Sequence, residues 1–199
     1  MDSSSILEHL QPELLTPNTM KLNQISPALL PLLASMGNAQ VGPSYTLKAL
    51  GPVPFAGQPV NAHSGGFWIG QPSAAICGPG VPCVDPDTKI LGTGDHLETA
   101  VPPGQALFVL PNGALSYTPP GAPNPPPNAL FGPFKVLPSP DGGSFTFLGA
   151  GFSACPTPGG LQVFAINSPS GPFQLAEGCV PFDAAIAPPA DPLVVDAYV

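Results

Sequence analysis

Four groups of side chains in this sequence could carry chemistry: two pairs of cysteines, an Asp95-His96 step, a scatter of carboxylates and a lone tryptophan, Trp68. The cysteines fall as Cys77 with Cys83 and Cys155 with Cys179. Paired thiols hold a metal, exchange electrons or oxidise to bridges. Zinc sites need cysteines at C-x-x-C spacing or with tandem histidines, and neither pattern occurs here, so no metal is expected. An even cysteine count in a secreted chain reads as a disulfide framework, and four cysteines allow three connectivities. The pairing Cys77 with Cys83 and Cys155 with Cys179 is favoured, because each bridge closes a local loop rich in glycine and proline.

Acid–base and nucleophilic chemistry has little material. Past residue 39 the histidines are His63 and His96 alone. An aspartate that orients a catalytic histidine does so across a fold, whereas neighbours on a strand point to opposite faces. Asp95 and His96 therefore read as a solvated turn after Gly92-Thr93-Gly94. A nucleophile elbow G-x-S-x-G is approached by Gly151-Phe152-Ser153-Ala154-Cys155 but lacks its final glycine, so that stretch reads as a strand. Glycoside hydrolysis needs two carboxylates about 5 to 9 Å apart. Asp85, Asp87, Asp95, Glu98, Asp141, Glu177, Asp183, Asp191 and Asp196 could supply them, and the sequence singles out no pair. Asp85-Pro86-Asp87-Thr88, with Asp95 nearby, lacks the twelve-residue calcium loop and its closing glutamate, and reads as an acidic loop. Trp68, in Gly66-Phe67-Trp68-Ile69-Gly70, is either a sugar-stacking platform and ligand contact or a core or rim aromatic between glycine turns. No catalytic residue and no cofactor is expected, and the chain reads as a non-enzyme.

These groups must be positioned by short strands. Apolar or β-branched stretches alternate with turn residues throughout, the pattern of an all-β domain. The expected strands are 45–50, 60–63, 67–70, 89–91, 97–101, 106–110, 114–118, 134–137, 144–148, 152–155, 161–167 and 184–187. Asn112-Gly113 supplies the positive φ of a tight hairpin turn, and Asp141-Gly142-Gly143 and Pro158-Gly159-Gly160 do the same. Residues 134–167 thus read as an antiparallel meander burying Phe145, Phe147, Phe152, Val163 and Phe164 on one face. The segment 119–127 holds six prolines in nine residues and is expected to run as a polyproline-like surface loop and stiff connector. About a dozen short strands suit a single compact domain of short antiparallel strands over 40–199, a β-sandwich, barrel or β-trefoil-like fold with two disulfides.

The first forty residues read differently. Met20-Lys21 followed by an apolar run over 25–36 and Gly37-Asn38-Ala39 has the three regions of a secretory signal, with cleavage expected after Ala39. The run is too short for a membrane anchor. Pro27 and Pro31 interrupt it, and a disordered leader or an amphipathic helix over 5–15 is the other reading. Residues 1–19 read as a disordered extension or a start chosen too early.

Charge bounds the partners. The chain has 4 Lys and Arg together against 12 acidic residues, a net charge of −8. Nucleic-acid backbones and anionic lipid both require clustered Lys and Arg, which excludes those classes. Hydrophobic residues at 43% supply a core, while charged residues at 8% leave a neutral surface suited to a glycan or a protein.

Several segments together resemble the fungal cell-wall protein phiA family. They are Gln58-Pro59-Val60-Asn61-Ala62 with Gly66-Phe67-Trp68-Ile69-Gly70, Val101-Pro102-Pro103-Gly104-Gln105, and Gly113-Ala114-Leu115-Ser116-Tyr117-Thr118. Gly151-Phe152-Ser153-Ala154-Cys155-Pro156-Thr157, Gln162-Val163-Phe164-Ala165 and Cys179-Val180-Pro181-Phe182-Asp183 continue the match in order and spacing. The resemblance implies a secreted, cell-wall-associated structural protein linked to development of spore-bearing cells. Its implied partners are wall polysaccharide or wall protein, and in some relatives host proteins; the other reading of the chain is a secreted effector or glycan-binding module recognised by host proteins. It brings no catalytic residues. The sequence departs from the family in its N-terminal extension, the 119–127 insert and its final residues.

Overall fold

The computed structural model describes residues 42–100, 104–122, 124–140 and 142–199, and every regular element among them is a β-strand. The leader expected over 1–39 lies outside the described residues. The strands are β1 (Ser44–Leu50), β2 (Pro59–His63), β3 (Gly66–Ile69), β4 (Ala75–Ile76), β5 (Ile90–Leu91) and β6 (His96–Leu97). There follow β7 (Gln105–Val109), β8 (Leu115–Tyr117), β9 (Phe134–Leu137), β10 (Gly143–Phe147) and β11 (Phe152–Thr157). The last are β12 (Gly160–Ala165), β13 (Asn167–Ser168), β14 (Gly171–Pro172), β15 (Val180–Ala187) and β16 (Ala197–Tyr198).

Six of them close on themselves. Going round, β1, β2, β3, β12, β11 and β15 each pair antiparallel with the next, and β15 pairs back onto β1. Side chains alternate faces along a strand, so register decides whether one face stays continuous. It does: Leu47 opposes Val60, Val60 opposes Ile69, Ile69 opposes Leu161, Val163 opposes Ala154, Phe152 opposes Phe182, and Ala184 opposes Ala49. All but Leu161 are buried. Of the architectures left open by the sequence, this ring is a barrel, which leaves no free edge among its members.

A second run, β5 to β8, arches from β1 round to β3. It keeps Ile90, Leu97, Leu107, Leu115 and Tyr117 on the same inner side, where Tyr117 meets Phe67 edge-on with ring centroids 5.7 Å apart. On the other flank β9 and β10 add to β15. Phe134, Phe145, Phe152 and Phe182 run as a chain of aromatic contacts with centroids 5.5 to 6.3 Å apart. Each buried side chain of this size contributes about 1.5–3 kcal/mol, so this file anchors the flank to the barrel.

The hairpins form where the turn residues placed them. Gly113 has φ 92°, its N–H donates to Leu110 O, and Asn112 Oδ1 accepts from Ala114 N. Gly142, at φ 100°, turns β9 into β10, and Pro158-Gly159 joins β11 to β12 with Thr157 opposite Gly160. The continuous meander does not form. β10 and β11 are separated by β15, whose Val180, Pro181 and Phe182 pair with β11 while Ala184, Ala185 and Ile186 pair with β10. An eight-residue strand is long enough to serve both neighbours, so it takes the central place; only its 184–187 end carried the sequence signal. Phe164 sits opposite Ser153 on the outer face and is half-buried, because alternation sends it away from Val163.

The proline segment also differs from expectation. Rather than running extended, its described residues fold into turns, with Ala122 N donating to Pro119 O and Ala129 N to Pro126 O. Gly121 at φ 73° and Asn128 at φ 65° supply reversals that a polyproline helix cannot contain. Of the strand expected over 97–101, only His96–Leu97 forms among the described residues.

The last ten residues pack back over the β5–β8 arch. Gln105, 2% exposed, donates Nε2–H bonds to Thr118 O and Tyr198 O, and its Oε1 accepts from Tyr198 N. Tyr198 accepts from Lys89 N and donates its hydroxyl to Asp87 O, and Lys89 Nζ donates to Leu193 O. Asp87 Oδ2 accepts from Ala190 N and Asp191 N. Tyr117 accepts from Gly65 N and donates to Val199 O. β16 then pairs with β4. Burial pushes the Tyr117 phenol up to about 12 against a small opposing effect of the Gly65 N–H, and burial also raises Tyr198.

Candidate functional site

Three turn segments enclose a cleft of about 470 Å³. One wall is the β7–β8 turn, with Pro111 and Asn112; a second is Asn128 to Leu130, just past the proline segment; the third is the β13–β14 hairpin and the residues after it. The hairpin is set by Gly171 at φ 119° and by Ser168 Oγ donating to Gly171 O at 2.6 Å. Phe173 lies close over Gly113, where a Cβ would come within 3.0 Å of the ring. Phe173 N donates to Ile166 O, and Leu130 pairs with Val109. The lining is amide and hydroxyl from Asn112, Asn128, Ser168, Ser170 and Gln174, with Phe173, Leu130 and prolines between them. Among the described residues no charged side chain takes part. None of these residues stood out in the sequence as a site; the only signal was the turn chemistry of Asn167-Ser168-Pro169-Ser170-Gly171, which marks a hairpin and not a ligand.

A smaller hollow of about 290 Å³ contains Thr93, Asp95, His96, Phe131 and Phe134. Here the expected solvated turn forms, with its two side chains in contact: His96 Nδ1 is 3.1 Å from Asp95 Oδ1, which also accepts from Thr93 Oγ1 at 2.5 Å. Asp95 precedes β6 and belongs to the turn, so strand alternation does not separate the pair. Partial burial raises the Asp95 carboxyl, but the bonds from Thr93 and His96 outweigh it and hold it below its ordinary value. With the carboxylate 58% exposed and His96 36%, the pair is a solvated turn contact.

The other candidates are dispersed. Trp68 lies on the outer face opposite Asn61 and Gln162, half-buried, with Nε1–H donated to His63 O at 2.7 Å. The β11–β12 turn covers its ring, since a Cβ on Gly159 would come 2.9 Å from Cη2. It lines neither cleft. Ser153 is buried within β11. Asp87 and Asp191 are taken up by backbone amides, Asp191 Oδ1 accepting from Leu193 N, and Asp141 lies outside the described residues. Among the described residues no three of His, Cys, Asp or Glu gather to hold a metal. The cysteines pair as Cys77–Cys83 and Cys155–Cys179, the local connectivity favoured above.

Oxidised cysteine pairs of this kind belong to exported proteins, and with the fold they define a small disulfide-bonded β-barrel of the secreted class. The chain belongs to the PhiA-like secreted protein family, which matches residues 47–197, and is a secreted fungal protein. It is similar to an uncharacterized secreted protein of Arthroderma benhamiae, 32% identical over 133 residues that cover 62% of this chain and 68% of that protein. No solved structure matches it.

Proposed function

We propose that this protein is a non-enzymatic structural component of the fungal cell wall, acting in spore-bearing cells and contacting wall polysaccharide or wall protein. The observation that carries this reading is membership of the PhiA-like secreted protein family across the whole barrel, residues 47–197. The build agrees with an extracellular structural role: a closed ring of strands, two disulfides, and a final segment latched by buried hydrogen bonds. The cleft, lined among the described residues by uncharged side chains, suits uncharged wall polymer better than it suits a hydrolytic centre, which needs a carboxylate pair.

The test is fractionation of the native fungus carrying a tagged copy at its own locus. The tagged protein is expected in the wall fraction of spore-bearing cells, and deletion of the locus is expected to alter those cells. Recovery wholly in the medium, with normal spore-bearing cells after deletion, overturns the proposal.

A further inference from the structure

We propose that the cleft between the β7–β8 turn, residues 128–130 and the β13–β14 hairpin binds a neutral oligosaccharide. The proposal rests on the wall reading for the source of the glycan and on the cleft alone for its chemistry. At about 470 Å³ the cleft falls within the span of small-ligand sites, roughly 300–1,000 Å³.

The lining selects the ligand class by exclusion. Among the described residues an anion would find no Lys, Arg or His in the lining and would meet a chain of net charge −8; a cation would find no carboxylate among them. A purely apolar ligand would strip water from Asn112, Asn128, Ser168, Ser170 and Gln174 without replacing their hydrogen bonds, at a cost of about 1–3 kcal/mol for each group left unpaired. A sugar matches both halves of the surface. Its hydroxyls meet amides that donate and accept, the Ser170 hydroxyl, and Ser168 Oγ, which has given its hydrogen to Gly171 O and accepts, and its C–H face can lie against Phe173 and the flanking prolines.

The cleft is also held in shape before any ligand arrives. Asn112 is tied to Ala114 N, Ser168 to Gly171 O, Phe173 N to Ile166 O, and Leu130 to Val109 through both of its backbone bonds. A site set by such bonds loses little entropy on binding. Trp68, the one aromatic whose sequence setting suggested sugar stacking, lies outside the lining.

Calorimetric titration of the intact secreted protein with laminarihexaose and with chitohexaose tests this. Saturable binding to at least one is expected. It should weaken tenfold or more in the double variant Gln174→Ala, Asn128→Gly, whose melting temperature should match the parent. Both side chains are exposed, and glycine accepts the φ of 65° at 128. Binding to neither sugar overturns the proposal, as does unchanged affinity in the double variant. Affinity lost in Trp68→Phe but kept in the double variant also overturns it, placing the sugar on Trp68. Binding of a proline-rich peptide, sensitive to the double variant, with no sugar binding replaces the ligand class and overturns it too. A protein found in the wall that binds no hexaose refutes the cleft and leaves the wall reading intact; a protein absent from the wall that binds through the cleft does the reverse.

Discussion

Replacing Gln105 with methionine tests the latch over the barrel most directly. Methionine keeps the length and nearly the volume of the side chain, so the packing term is small. What it removes is three hydrogen bonds: Nε2 to Thr118 O at 2.7 Å, Nε2 to Tyr198 O at 2.9 Å, and Tyr198 N to Oε1 at 2.6 Å. All three are buried, and Tyr198 is 1% exposed, so water cannot take over without opening the segment. A buried backbone group left unpaired costs about 1–3 kcal/mol. Three such groups at the low end of that range give a loss of about 3 kcal/mol. For a domain of this size each kcal/mol moves the melting temperature by about 2–4 °C, so a fall of about 6–12 °C is expected by circular dichroism. The variant Gln105→Glu sharpens the test. One carboxylate oxygen there would keep the Tyr198 N–H, but the other would face Thr118 O and Tyr198 O with no hydrogen to give, so burial and the two carbonyls raise its folded-state pKa above the unfolded value. Its stability is therefore greatest at acid pH and is lost as pH rises through the folded pKa. A loss under 1 kcal/mol for Gln105→Met, or a Gln105→Glu protein as stable at pH 7 as at pH 4, refutes the latch.

Two further outcomes follow from the same structure. Because burial raises the phenols of Tyr117, to about 12, and of Tyr198 above the unfolded value of about 10, the stability they contribute is complete below about pH 10 and is lost as pH rises from there; Tyr117 alone accounts for about 2 kcal/mol by pH 12. Urea midpoints that stay level from pH 9 to pH 11.5 contradict this, and Tyr117→Phe should flatten the decline. Opening Cys155–Cys179, which spans 24 residues of sequence, should cost about 3 kcal/mol, and opening Cys77–Cys83, which spans 6, about 2 kcal/mol by the loop-entropy account; Cys155→Ser, Cys179→Ser should thus melt lower than Cys77→Ser, Cys83→Ser, and the reverse order refutes the assignment of weight.

The sequence by itself determined the β class, the hairpin at Asn112-Gly113 and the two glycine turns after it; it favoured one of three cysteine pairings and carried the family resemblance. These features are local. Glycine at positive φ and alternating apolar residues act within a few residues of chain, so they are readable without knowing the fold. The tertiary structure decided what depends on distant pairing. β15 could be placed between β10 and β11 only by the register of an eight-residue strand against three partners. β16 has two residues and therefore no periodicity to read, yet it brings Tyr198 to Gln105 across 93 positions. Asp95 and His96 meet because a turn, not a strand, holds the aspartate. The cleft joins residues 111–112, 128–130 and 168–174, three turns that each look ordinary in sequence, and they come together through distant pairings, Leu130 with Val109 and Ala165 N with Gly113 O.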